Sequence, residues 1–146
     1  MESKKLLVIG GGGYIGNHVV DEALRSGRKV AVLDIFYFGH DKLRRHADNP
    51  DLEIVTADIR TISIDVFKDV DEVISMAGIS NDPSCDLLPE VTESTNLHGC
   101  IRVAKLAKEA GVKRFVDISS CSVYGRAEES ICDEKSPTRP VSLYAR

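Results

Sequence analysis

The stretch Lys5-Leu6-Leu7-Val8-Ile9-Gly10-Gly11-Gly12-Gly13-Tyr14-Ile15-Gly16 decides the fold. A run of leucine and β-branched residues reads as a buried strand, and the glycines that follow stop it abruptly. Beyond them the apolar period lengthens: Ile15, Val19 and Ala23 recur every fourth residue, with Val20 and Leu24 beside them. That spacing is one face of a helix over residues 14–26, and Gly27 supplies its left-handed stop. Strand, tight glycine turn and helix in that order open a βαβ unit.

Outward from this stretch the same alternation continues. Residues 30–33 form a second apolar run ending at Asp34, and a weaker helical pattern spans 40–47 before Asn49-Pro50 breaks it. A third strand is expected over 53–56, a short helix over 62–67 and a fourth strand over 72–76. A long helix is predicted over 89–110, with Leu97, Ile101 and Ala104 on its apolar face and Gly111 ending it as Gly27 ended the first. Residues 114–118 are almost continuously apolar, as a strand buried on both faces should be. The tail after Gly125 is polar, contains Pro137 and Pro140, and reads as a loop leading into a helix. Such alternation implies right-handed crossovers and a parallel sheet. The expected fold is α/β, a doubly wound parallel sheet with strand order 3-2-1-4-5.

Bulk properties narrow the function classes. At 146 residues the chain is one domain, 42% hydrophobic and 29% charged, which is ordinary for a globular protein. A net charge of -4 provides no basic footprint for nucleic acid and no polybasic patch for a membrane surface. No apolar run approaches a membrane span and the first residues do not form a signal peptide, so a cytoplasmic location is expected. Cys85, Cys100, Cys121 and Cys132 are irregularly spaced, and His18, His40, His46 and His98 stand apart, so no metal site is expected.

The glycine turn has a chemical reading. Its glycines permit positive φ, close approach of backbone to a pyrophosphate, and tight packing of helix on strand. The helix N-terminus then offers unpaired N–H groups and a partial positive charge to phosphates. Asp34 follows at close to the spacing of about 20 residues expected for an acid that binds the adenine ribose. Its carboxylate can accept from both ribose hydroxyls and would repel a 2′-phosphate, and neither Ile35 nor Phe36 carries a compensating charge. These residues predict NAD in preference to NADP. The blander alternatives are a tight turn with no ligand and an aspartate that merely ends a strand.

With these residues in hand, the chain resembles the extended short-chain dehydrogenase/reductases of the NAD-dependent sugar-nucleotide epimerase and dehydratase group, which have a Rossmann fold. The group's G-x-x-G-x-x-G is matched by Gly10, Gly13 and Gly16, with Tyr14 and Ile15 inside the motif. Asp34-Ile35 matches the end of its second strand, and Asp58-Ile59 matches a pair that contacts the adenine. Met76-Ala77-Gly78, with Ser80 just beyond, matches the small-residue stretch that lines the cofactor, and Asn96 matches an asparagine in the next helix. Ser119-Ser120-Cys121-Ser122-Val123-Tyr124-Gly125 resembles the group's serine-rich strand end, and Pro140-Val141-Ser142-Leu143-Tyr144 its approach to the catalytic tyrosine. The resemblance implies that Tyr144 is the general acid/base and that Ser120 orients the substrate's C4 oxygen. A free phenol titrates near 10, so the role requires a cationic neighbour that lowers it. Without the resemblance these would read as loop serines and a surface tyrosine.

The same comparison marks departures. The group's lysine lies four residues after the tyrosine, and this sequence stops at Arg146, before that place and before any substrate domain. Residues 1–146 are therefore expected to be an incomplete NAD-binding domain without turnover of its own. Its nucleotide-sugar partner would be met only in a full-length protein, and its fifth strand, left at an edge, would pair in a homodimer or leave the chain marginally stable. Ser80 stands where UDP-galactose 4-epimerases carry lysine, and Ser75 where a histidine or similar residue is usual. Cys121 and Ser122 replace the Asp-Glu pair of dehydratases, which favours epimerase or simple oxidoreductase chemistry over 4,6-dehydration. An NAD-dependent keto-sugar or carbonyl reductase is the alternative within the fold, and a non-catalytic dinucleotide-binding or scaffolding module the alternative outside enzymes.

Overall fold

The structure, a computed structural model, describes residues 5–126 and 131–146. Five parallel strands form one sheet: β1 (Lys5–Ile9), β2 (Lys29–Asp34), β3 (Leu52–Thr56), β4 (Val70–Ser75) and β5 (Arg114–Asp117), in the order β3-β2-β1-β4-β5. The sequence-predicted order is the observed one. Ile9 lies opposite Leu33 on one side and Ser75 on the other, so three strands end flush. The loops that follow β1, β2 and β4 therefore emerge side by side at the C-terminal edge, where ligands bind in open α/β sheets.

Alternation along β1 divides the core in two. Leu6 and Val8 face Val20, Ala23 and Leu43, beneath helix α1 (Tyr14–Arg25). Leu7 and Ile9 face Phe67, Val103 and Ala107, on the other side of the sheet. Helix α1 ends as expected, with Gly27 at φ +77° and its N–H on the Leu24 carbonyl. The weaker patterns after β2 and β3 fold as short 3₁₀ helices, Asp41–His46 and Ile64–Phe67.

Between β4 and β5 the structure departs from expectation twice. A separate short helix, α2 (Asp82–Leu87), is capped by the Asn81 side chain, which accepts from the Ser84 N–H. The following long helix contains α3 (Pro89–Thr92), a π-helical stretch (Glu93–Gly99) and α4 (Cys100–Glu109). Its predicted apolar face is wrong: Leu97, Ile101 and Ala104 are exposed, and Thr92, Gly99, Val103 and Ala107 are buried. Packing distance explains the reversal. A Cβ on Gly99 would meet the Ile59 side chain at 2.8 Å, so the helix turns its small residues to the sheet and its bulky ones outward.

The expected helix after Gly125 does not form within residues 131–146; part of that tail, 127–130, lies outside the described residues. Arg139 donates its N–H to Val123, and the Tyr124 hydroxyl donates to the Asp133 carbonyl, so the segment folds back as extended chain. One turn closes near the end, with the Ala145 N–H on the Ser142 carbonyl. Strand β5 lies at the sheet edge, with Phe115, Val116 and Ile118 partly exposed.

Ion pairs gather at the opposite, N-terminal edge of the sheet. Arg28 reaches across β1 to Glu72, Lys5 reaches across β2 to Glu53, and Lys113 pairs with Asp71. A further pair fastens α1 to the Asp41–His46 helix: Asp21 accepts from Arg45 and meets His46. Arg45 also reaches Asn17, whose amide donates to the Gly13 and Tyr14 carbonyls at the mouth of α1. The Arg45 hydrogen bonds, opposed by burial and aided by His46, hold the Asp21 carboxyl at about 2 against an ordinary 3.8.

A carboxylate depressed on folding stabilises the protein above its unfolded pKa, and that contribution is lost as pH falls through the folded value. The shift corresponds to roughly 2 kcal/mol, reduced to about 1 kcal/mol because Arg45 is nearly half exposed. Asp21→Asn should therefore lower urea stability by about 1 kcal/mol at pH 7, with the gap to wild type closing between pH 4 and about 2. Urea titrations of both proteins at several pH values check this; a gap that does not change with pH would assign the loss to packing.

Candidate functional site

The loop after β1 is held by backbone contacts that only glycine allows. Gly10 takes φ +83° and donates its N–H to the Leu33 carbonyl. A Cβ there would lie 2.8 Å from the Ala77 nitrogen, so the loops after β1 and β4 touch backbone to backbone. Gly16, in the first turn of α1, sits over the same loop, where a Cβ would lie 2.2 Å from the Gly10 carbonyl oxygen. The first turn of α1 is thus brought down on the end of β1.

Asp34 closes the second wall. Its carboxylate accepts from the Gly12 N–H at 2.9 Å and the Phe36 N–H at 2.7 Å, one on each oxygen. A carboxylate has about four acceptor positions, so capacity remains on the cleft side. The chain then turns sharply: Phe36 adopts φ +55°, its ring stacks on His40 with centroids 3.8 Å apart, and the Gly39 N–H returns to the Phe36 carbonyl. Left-handed φ at an aromatic residue is strained, and here the ring stacking and the Asp34 bond hold it.

Asp58 meets Arg60 rather than open solvent. The Arg60 N–H and Nε reach one carboxylate oxygen at 2.9 and 3.0 Å, and Nε and Nη2 reach the other. This fork holds the Asp58 carboxyl below the usual carboxylate range, and Asp58 in turn raises the Arg60 guanidinium. Behind the β4 loop, the Asn96 side chain accepts from the Ile79 N–H at 2.8 Å and donates to the Ile79 carbonyl at 2.9 Å. It fixes the loop's path without facing the cleft.

These loops enclose one cleft. Gly10, Gly13, Asp34, Ile35, Asp58, Ile59, Met76, Ala77 and Gly78, all expected from the sequence, line it together. Gly16 lies beneath it, while Tyr14, Ile15 and Ser80 are exposed beyond its lining. Sequence reasoning missed Gly12, Phe36, Tyr37, Phe38, Arg60, Ile79 and Thr95, which also line it. One signal was available: three consecutive aromatic residues, Phe36-Tyr37-Phe38, directly after Asp34-Ile35 in a chain that is 5% aromatic.

Ser120 and Tyr144 lie outside this lining. Ser120 follows β5 at the same edge of the sheet, where the Ile118 N–H extends the ladder to the Ser75 carbonyl. Its hydroxyl caps the 3₁₀ helix Cys121–Tyr124, accepting from the Ser122 N–H and donating to the Ser122 hydroxyl at 3.1 Å. Tyr144 is half-buried in the returning tail, beside buried Ala145. Gly125 lets that tail approach: at φ +59°, a Cβ there would lie 1.8 Å from the Arg139 carbonyl oxygen. Among the described residues, no cluster of three or more histidines, cysteines and acids could hold a metal. No helix among them is long and apolar enough to cross a membrane.

Over residues 6–146 the sequence matches the NAD dependent epimerase/dehydratase family. The chain belongs to that family. It is 33% identical over 144 residues to the UDP-glucose 4-epimerase of Lactobacillus helveticus, covering 96% of this chain and 42% of that protein. Among solved structures it resembles the UDP-N-acetylglucosamine 4-epimerase of Methanobrevibacter ruminantium M1, in complex with UDP-N-acetylmuramic acid. That match has a TM-score of 0.91 and 26% identity, covering 99% of this chain and 47% of that one. It also resembles the dTDP-glucose 4,6-dehydratase DesIV of Streptomyces venezuelae, which holds NAD and TYD, with a TM-score of 0.89 and 31% identity. There, 97% of this chain and 44% of that one are covered. The chain thus spans less than half the length of these relatives. The family is NAD-dependent, and the residues present fit a dinucleotide: Gly10, Gly12 and Gly13 give the cleft a wall without side chains, and the Asp34 carboxylate lines it with acceptor capacity to spare.

Proposed function

We propose that this chain is the NAD-binding portion of a sugar-nucleotide epimerase, with Ser120 and Tyr144 as its acid/base pair. The observation that carries the reading is the meeting of Gly10, Asp34 and Met76-Ala77-Gly78 around one cleft at the C-terminal edge of the sheet. There the N-terminus of α1 would hold the pyrophosphate of NAD and Asp34 its adenine ribose hydroxyls. NAD, when bound, supplies a transient hydride acceptor. Tyr144 takes the proton from the sugar's C4 hydroxyl, and Ser120, itself steadied by Ser122, orients that oxygen. The nucleotide sugar and a homodimer belong to the same proposal, with the relatives' names supporting the sugar.

Calorimetric titration of the chain tests it. NAD should bind saturably, and NADP at least about tenfold more weakly, because a 2′-phosphate would meet the Asp34 carboxylate. NADP binding as tight as NAD would overturn the cofactor assignment, and binding of neither would overturn the site. In any protein carrying this chain that turns over a UDP-sugar, Ser120→Ala and Tyr144→Phe should each lower kcat by about 10²- to 10⁴-fold. Unchanged turnover in either variant would remove that residue from the pair.

A further inference from the structure

Two large apolar side chains that line the cleft are exposed to solvent. Tyr37 is 69% exposed and Phe38 86% exposed, and neither belongs to either core cluster. They follow a root that is firmly set. Phe36 is wedged against His40 and against Gly12, where a Cβ would meet the Phe36 ring at 2.7 Å. Lys42 stands over the Phe38 ring, 5.9 Å from its centroid. Arg60 shares the cleft with both rings. Large apolar rings left in water at a fixed place mark a binding surface.

The hydrogen-bonding alternative for the base is largely spent. Asp58 is the acid at this end of the cleft, and Arg60 already donates to both of its oxygens from the backbone N–H, Nε and Nη2. Three donors thus take up most of that carboxylate's roughly four acceptor positions, leaving at most one for adenine's amine. We propose that Tyr37 and Phe38 instead hold the base by stacking, with the Arg60 guanidinium as a further flat surface, so that the site recognises an aromatic ring more than adenine's amine. The proposal rests on the dinucleotide reading above. Stacking on aromatic and guanidinium planes is tolerant of base identity because every base has a π-face.

The test uses the chain itself, titrated by calorimetry with NAD, with nicotinamide hypoxanthine dinucleotide, in which a carbonyl replaces the amine, and with ADP-ribose. Wild type should bind NAD and the hypoxanthine analogue within about threefold of each other. The double variant Tyr37→Ala/Phe38→Ala should lose about ten- to hundredfold for all three ligands, since each carries the base. Tyr37→Phe, which keeps the ring, should stay within about twofold of wild type. Both side chains project from the surface, so an unchanged melting temperature in the double variant identifies the loss as one of contact. A loss of more than tenfold with the hypoxanthine analogue on wild type would show that the amine is read and overturn the proposal. So would a double variant that binds NAD as wild type does. Failure of wild type to bind NAD at all would overturn the dinucleotide reading and this one with it, whereas the other failures leave that reading intact.

Discussion

Gly16→Ala should lose at least about 3 kcal/mol of stability and all measurable NAD binding, more than any other single methyl added to the glycine turn. The added carbon would stand 2.2 Å from the Gly10 carbonyl oxygen and 2.7 Å from the Gly11 Cα. Both neighbours are backbone, so no rotamer change relieves the contact; α1 must lift from the end of β1. Lifting it opens the loop that meets Ala77 and removes the helix N-terminus from its place over the cleft. Gly27→Ala is the control. Gly27 also closes a turn, at φ +77°, but nothing lies within 4 Å of its would-be Cβ. Only the left-handed backbone penalty applies there, about 1–2 kcal/mol, with NAD affinity unchanged. Urea denaturation and calorimetry on the two variants separate the effects; equal losses would mean that the close approach at Gly16 is not the constraint.

The second large effect is expected at Asp34. Asp34→Ala should weaken NAD binding by about a hundredfold, the worth of two charge-assisted hydrogen bonds at roughly 1.5 kcal/mol each. It should also lower stability by about 1–2 kcal/mol, because the Gly12 and Phe36 N–H groups lose their acceptor and Phe36 loses a restraint on its strained backbone. Asp34→Asn, which keeps one acceptor oxygen and drops the charge, should fall between the two and narrow the preference for NAD over NADP. An Asp34→Ala protein that binds NAD within threefold of wild type would show that the carboxylate serves only to cap the loop.

Much of this fold could be read in advance for a simple reason. Its central strands β1 and β2 are buried on both faces and read as unbroken apolar runs, and Gly27 and Gly111 punctuate the helices at their true ends, whereas the apolar run of β5 stands exposed at the sheet edge. The glycine turn and Asp34 were legible because their chemistry is local, and their meeting with Met76-Ala77-Gly78 follows from the strand order alone. What stayed hidden depends on close approach or on partners far apart in sequence. Hydropathy favours Leu97 and Ile101 over Gly99 and Ala107, but the helix needed its small side to reach Ile59. Arg45 finds Asp21 and Asn17 only once α1 and the 3₁₀ helix are docked. The fork from Arg60 onto Asp58 joins near neighbours, yet its effect on what Asp58 can still accept comes from three-dimensional geometry. The Asn81 cap on α2 was available and went unread, although Asn followed by Asp-Pro is a helix start.

The ion pairs at the N-terminal edge bear on how the molecule can be altered. Arg28–Glu72 and Lys5–Glu53 each bind strands that are not neighbours, and every loop that lines the cleft leaves from the other end of the sheet. Resilience and recognition thus occupy opposite poles, and an engineer can rewrite the charges at one without disturbing the other. Added salt weakens the more exposed of these pairs first, Lys113–Asp71 and Lys5–Glu53, and leaves the more buried Arg28–Glu72 pair to hold that end together.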